Sequence, residues 1–117
     1  MRLGELERAV MNELWTRPQG ALARELAEAL PSQPAVTTVL TILDRLARKE
    51  LVRRERTGRA HRYFAVHSKE AHAADAMRLA LGQAGDRELA LTHFLDVVDP
   101  EDVAALRRLL QGIEGED

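Results

Sequence analysis

Apolar residues recur every three or four positions over the first third of the chain. Leu3, Leu6, Val10 and Leu14, flanked by Met11 and Trp15, alternate with Glu5, Glu7, Arg8, Asn12 and Glu13. This period predicts a helix over 3–16 that stops before Pro18, Gln19 and Gly20. The stretch LARELAEAL repeats the signal with Leu22, Leu26, Ala29 and Leu30 and predicts a second helix over 22–30, which Pro31 cannot continue because it has no N–H. After the break PSQP the spacing predicts a third helix over 36–49. At about 100° per residue, Val36, Val39, Leu40, Leu43, Leu46 and Ala47 fall within one arc about 100° wide, the width of a buried stripe, with Ile42 at its margin. Thr37, Thr38, Thr41, Asp44, Arg45, Arg48 and Lys49 form the opposite face.

Then the period shortens. LVRRERT and AHRYFAV alternate rather than cycle, and they flank Thr57, Gly58 and Arg59, where the glycine can take a positive φ; this is the pattern of a β-hairpin. Its alternation is imperfect and leaves open which residues face the core. From Ser68, a suitable N-cap, the helical period returns and runs to about Ala84 through Ala71, Ala74, Met77 and Leu81. A shorter helix is expected from Asp86 to about Leu95. The last is announced by Asp99 as cap and Pro100 in the first turn, with Val103, Leu106, Leu109, Leu110 and Ile113 inside it. The fold class expected is mainly α with a small β-hairpin, in the order three helices, hairpin, three helices.

Charge sharpens this picture. The 117-residue chain has a formal net charge of −2, but residues 1–66 carry twelve Lys/Arg against eight Asp/Glu, and the remainder five against eleven. Positive density peaks over residues 45–62, with eight Lys/Arg and two acids. Three helices followed by a hairpin with a basic tip is the element order of a winged helix-turn-helix domain, whose third helix enters the major groove of double-stranded DNA. Guanidinium groups release counterions from phosphate, and short hydroxyls reach phosphates or base edges. The candidate DNA-binding residues are therefore Thr37, Thr38, Thr41, Arg45 and Arg48 on the helix, with Arg53, Arg54, Arg56, Arg59, His61 and Arg62 on the hairpin. A basic hairpin also serves to protect an edge strand. Two other readings stay open: a winged-helix interaction module with an acidic protein partner, and a winged-helix regulator that responds to a small molecule.

The apolar content of the C-terminal helices raises a different question. Residues 1–67 are read as the DNA-binding domain and 68–117 as a helical dimerisation domain. In the latter Met77, Leu81, Leu89, Leu91, Phe94, Leu95, Leu106, Leu109 and Leu110 occupy much of the helix circumference, yet so short a segment buries little surface alone. A symmetric homodimer would cover them and present two recognition helices to a palindromic operator. The alternative is that these helices fold back on the first half of a monomer.

Little points to catalysis. The histidines, His61, His67, His72 and His93, form no His-x-x-x-His pair, and there is no Gly-rich phosphate loop and no Gly-x-Ser-x-Gly. No enzyme activity, metal or cofactor is expected. The absence of cysteine excludes a disulfide framework and fits a reducing compartment. No apolar run approaches about 18 residues and the start has no apolar leader, so a cytoplasmic protein without membrane insertion is expected. Four aromatics are too few for a single-strand stacking platform.

Three stretches, LGELERAVMNELW, TTVLTILDRLARKELVRRERTGRAHRY and ALTHFLDVVDPEDVAALRRLL, together resemble the penicillinase repressor family of BlaI, MecI and CopY type repressors. The resemblance covers nearly the whole chain. It implies a homodimeric winged-helix repressor of transcription at a palindromic operator, often controlling genes for a β-lactamase and its membrane sensor-protease, and hence antibiotic resistance. It places the recognition helix at Thr37, Thr38, Thr41 and Arg45 and the wing at Arg56 to Arg62. It also implies relief of repression by cleavage before a phenylalanine in the dimerisation domain, which maps here to the bond between His93 and Phe94. The residue before the phenylalanine is asparagine in staphylococcal members. Copper-responsive relatives carry cysteine pairs that this sequence lacks.

Overall fold

The computed structural model describes residues 4–115; Leu3 of the first expected helix, and the last two residues of the tail, lie outside them. The elements are α1 (Glu5–Trp15), β1 (Ala21–Leu22), α2 (Ala23–Ala29), α3 (Val36–Arg48), β2 (Val52–Thr57), β3 (Ala60–Ala65), α4 (Lys69–Gly82), α5 (Arg87–Val97) and α6 (Pro100–Gly115). The chain divides into two compact units, one ending at Ala76 and the other beginning at Met77.

The core of the first unit is aliphatic. Val10, Met11 and Leu14 of α1 meet Leu26 and Ala27 of α2, Val39, Ile42, Leu43 and Leu46 of α3, and Val52 and Tyr63 of the hairpin. One expectation changes here. Ile42, placed at the margin of the α3 stripe, is buried, whereas Val36 and Leu40, placed inside it, are each 42% exposed. The apolar residues of α3 span a wider arc than α1 and α2 cover, and these two packing helices select the side of Val39, Ile42, Leu43 and Leu46.

A strand that the periodicity did not reveal completes the unit. Ala21 and Leu22 pair antiparallel with Tyr63 and Arg62, giving a three-stranded sheet in the order β1-β3-β2. Two residues are too few to display alternation, and Leu22 reads instead as the start of the second helix. That helix instead begins at Ala23, with the N–H of Leu22 donating to Glu25 Oε1 at 2.7 Å. In the hairpin, Thr57 pairs with Ala60 across a two-residue loop whose first member, Gly58, has φ +64°. Glycine at that position is the mark of a type II′ turn, whose twist suits the flanking strands. Val52 and Tyr63 are the hairpin residues that turn into the core.

Polar contacts fasten the edges. Lys49 Nζ donates to Glu7 Oε2 at 2.7 Å, tying the end of α3 to α1, and the N–H of Gly4 donates to Glu7 Oε1 at 3.2 Å. The Lys49 bond holds the Glu7 carboxyl below its ordinary value of 4.5. A carboxyl lowered in the folded state contributes stability that is present above the unfolded value and lost as pH falls through the folded one. Glu7→Gln is therefore expected to cost about 1–2 kcal/mol at pH 7, a gap that urea titrations should find closing below pH 4.5; a gap constant down to pH 3 would refute the pairing as its source. At the start of α4, Ser68 Oγ accepts the N–H of Ala71 at 3.0 Å. Trp15 Nε1 donates to the carbonyl of His67 at 3.1 Å, and its ring lies 5.2 Å from that of His72, so the first turns of α4 belong with the first unit.

The second unit has helices but few buried side chains. Asp86 Oδ1 accepts the N–H of Leu89 at 3.0 Å and caps α5, and α6 begins at Pro100 as its sequence implied. No residue of α5 is buried. Met77 is 61% exposed, Phe94 39% and Leu109 65%. A cleft of about 470 Å³ runs between α4 and α5, lined mainly by Met77, Leu81, Ala90, Leu91 and Phe94. Among the described residues no helix is long and apolar enough to cross a membrane.

Candidate nucleic-acid interface

The solvent side of α3 carries the residues that its sequence assigned there. Thr37, Thr38, Thr41, Arg45 and Arg48 are all exposed. Thr41 Oγ1 donates to the carbonyl of Thr37 at 3.0 Å, which satisfies its proton locally and leaves its lone pairs free to accept. Arg48 pairs with Asp44 at 3.0 Å, one turn apart and largely in solvent, a contact worth little and easily exchanged for another.

The strand register sorts the basic hairpin into two faces. Residues directly opposite in an antiparallel pair share a face. Arg54 lies opposite Tyr63 and Arg56 opposite His61, so these four share the face on which Val52 and Tyr63 are buried. Arg53 lies opposite Phe64 and Glu55 opposite Arg62 on the other face. A cleft of about 320 Å³ is lined by Arg59, His61 and Tyr63 of the hairpin, by Val36 and Leu40 of α3, and by Leu22, Ala23 and Arg24 where β1 passes into α2. The fold thus brings Arg59 and His61 to the exposed side of α3.

Arg53 and Arg62 are engaged within the chain. Arg53 Nη1 is 2.6 Å from Glu55 Oε1, and its guanidinium carbon is 4.3 Å from the centroid of Phe64, a cation–π geometry. Arg62 Nη1 donates to the carbonyl of Gly20 at 3.3 Å and lies 3.8 Å from Glu25 Oε1. The Glu25 carboxyl is held below its ordinary range, first by the Leu22 N–H and then by the Arg62 charge. Strand alternation alone would have placed Arg53 and Glu55 on one face; the partners of Arg62, Gly20 and Glu25, are distant in the sequence and left no local signal. Sequence reasoning also missed Val36 and Leu40 as surface residues of this site.

The other assigned residues all lie in the second unit. Met77, Leu89, Leu91, Phe94, Leu95, Leu106, Leu109 and Leu110 are exposed, and Leu81 is half-buried. His93 and Phe94 are consecutive exposed residues inside α5. Among the described residues, no three His, Asp or Glu side chains converge to hold a metal ion.

Comparison with known proteins matches this geometry. The transcriptional regulator BlaI of Mycobacterium tuberculosis is 47% identical over 118 residues, spanning 97% of this chain and 86% of the relative. Among solved structures, Staphylococcus aureus MepR in complex with DNA has a TM-score of 0.55 at 21% identity, over 83% of this chain and 82% of that one. A MarR family protein from Bacillus stearothermophilus has a TM-score of 0.52 at 18% identity, over 99% and 76%. These two share the fold, a winged helix with further helices. The family described as penicillinase repressor matches residues 3–112, and with nearly half of all positions identical to a transcriptional regulator along the same span, the chain belongs to the penicillinase repressor family.

Proposed function

We propose that this chain represses transcription by binding a palindromic operator as a homodimer, with β-lactamase or related genes under its control. The observation that carries this reading is the exposed hydroxyl and guanidinium face of α3, at whose edge Val36 and Leu40 line one cleft with Arg59 and His61 of the wing. Thr37, Thr38, Thr41 and Arg45 address base edges and nearby phosphates; Arg48, Arg54, Arg56, Arg59 and His61 supply charge to the backbone. Arg53 and Arg62 contribute by holding the wing in place. Residues 68–117 form the dimer through the exposed apolar residues of α4, α5 and α6, which a second copy would cover. Repression is relieved when a membrane sensor-protease pathway leads to cleavage between His93 and Phe94. Mass measurement of the chain from induced cells should then reveal a fragment ending at His93, and a purely intact chain would overturn that step.

The decisive experiment is selection of bound sequences from a random duplex pool at about 150 mM salt. A two-fold symmetric site bound about 10³-fold or more over a scrambled duplex is the expected result. On that site, Arg59→Ala should weaken all sequences alike and lower the salt slope by about one, while Thr41→Ala should alter base preference. Failure to enrich any site, with residual binding lost as salt rises, would favour an acidic protein partner instead.

A further inference from the structure

The DNA-facing side of α3 contains two large apolar side chains that the core does not use. Val36 and Leu40 are each 42% exposed, while Val39 and Leu43, their neighbours in the sequence, are fully buried. With successive residues about 100° apart, Val36 and Leu40 stand about 40° from one another at one edge of the exposed arc. Leu40 lies between the threonines and the wing. It lines the same cleft as Arg59 and His61.

Such a placement has a specific match in duplex DNA. The cations at the rim attract the phosphates of a backbone, and the helix side chains reach the major-groove floor. That floor presents hydrogen-bonding groups and one apolar group, the C5-methyl of thymine. The hydroxyls of Thr37 and Thr41 suit the former; a half-exposed leucine beside them suits the latter.

We propose that Leu40, supported by Val36, reads the C5-methyl group of a thymine in each half-site of the operator. The inference rests on the DNA-binding reading above and adds a chemical reason for preferring a thymine at that position. It makes the choice hydrophobic, since Leu40 has no group with which to hydrogen-bond a base.

The test uses the full chain and the operator that it selects. Each thymine is replaced in turn by deoxyuridine, which removes only the methyl group. Wild type is expected to lose about fourfold in affinity at the position that Leu40 covers, the factor for one buried methyl. Leu40→Ala should bind the thymine and uracil versions of that position equally, while remaining sensitive to base changes elsewhere. Because Leu40 is half in solvent, the variant should unfold at the same urea concentration as wild type.

A tightly bound operator indifferent to every thymine methyl would overturn this inference and leave the DNA-binding reading intact. A Leu40→Ala loss of equal size on thymine and uracil duplexes alike would also overturn it, showing an edge that positions the wing. If no operator is enriched at all, both readings fail together.

Discussion

Replacing Gly20 with alanine is expected to cost the first unit about 3 kcal/mol, the sum of a left-handed backbone penalty and overpacking, while Gly58→Ala costs about 1 kcal/mol. The two glycines have similar backbones, with φ +76° and +64°. Their surroundings differ. A Cβ at Gly20 would stand 2.7 Å from Phe64 Cε2, 2.8 Å from the Tyr63 carbonyl oxygen and 2.9 Å from Arg62 Cγ, whereas at Gly58 it would meet nothing within 4 Å. The ring and the arginine stem can turn aside, but the carbonyl is part of the central strand, and moving it disturbs the pairing on both sides. Against a typical domain stability of about 5–15 kcal/mol, the difference is large. Urea midpoints at unchanged slope measure it, and equal losses at the two glycines would show that close approach at Gly20 has no weight.

The second large effect is expected at Leu43→Ala, which should cost about 3 kcal/mol by removing a fully buried side chain and leaving a cavity among the three helices. Leu40→Ala, three residues earlier on the same helix, should stay within about 0.5 kcal/mol of wild type, as surface changes do. This contrast is sharp because the two leucines are chemically identical and both fit the helical period. Denaturation of the two variants side by side decides the matter. Comparable losses would mean that the core extends to Leu40, and with that the proposed thymine reader would lose its exposure.

Those leucines also mark how far the sequence could be read. The spacing of Leu6, Val10 and Leu14, the cap at Ser68 and the proline opening α6 announced their helices directly, and the glycine between two alternating runs announced the hairpin. Each is a local pattern with a local cause. Rotation of α3 about its axis is not local: it depends on where α1 and α2 press, so Ile42 and Leu40 exchanged roles. The same holds for β1, whose two residues become a strand only because Arg62 and Tyr63, some forty positions on, offer a ladder.

The candidate interface shows the same division. Hydroxyls and arginines on α3 were legible from a wheel, since helix geometry alone puts Thr37, Thr41 and Arg45 on one side. The wing was legible as a basic segment but not as two faces with different duties. Separating Arg53 and Arg62 from Arg54, Arg56 and Arg59 required the strand register and the position of Phe64, Gly20 and Glu25. Charge counts treat all five arginines as equal, whereas the fold engages Arg53 with Glu55 and Phe64 and Arg62 with Gly20 and Glu25, and Arg56 reaches only the carbonyl of Gly58 in its own turn.

The bond from Trp15 to the carbonyl of His67 has a spectroscopic consequence. This is the only tryptophan in the chain, and it sits where the last strand of the wing passes into α4, with its indole N–H engaged and its ring against His72. Indole emission shifts with hydration and with hydrogen bonding, so its wavelength reports whether that junction is closed. The protein therefore carries an intrinsic optical probe, and stopped-flow fluorescence without any added label can time the opening of this seam during unfolding or on binding a partner.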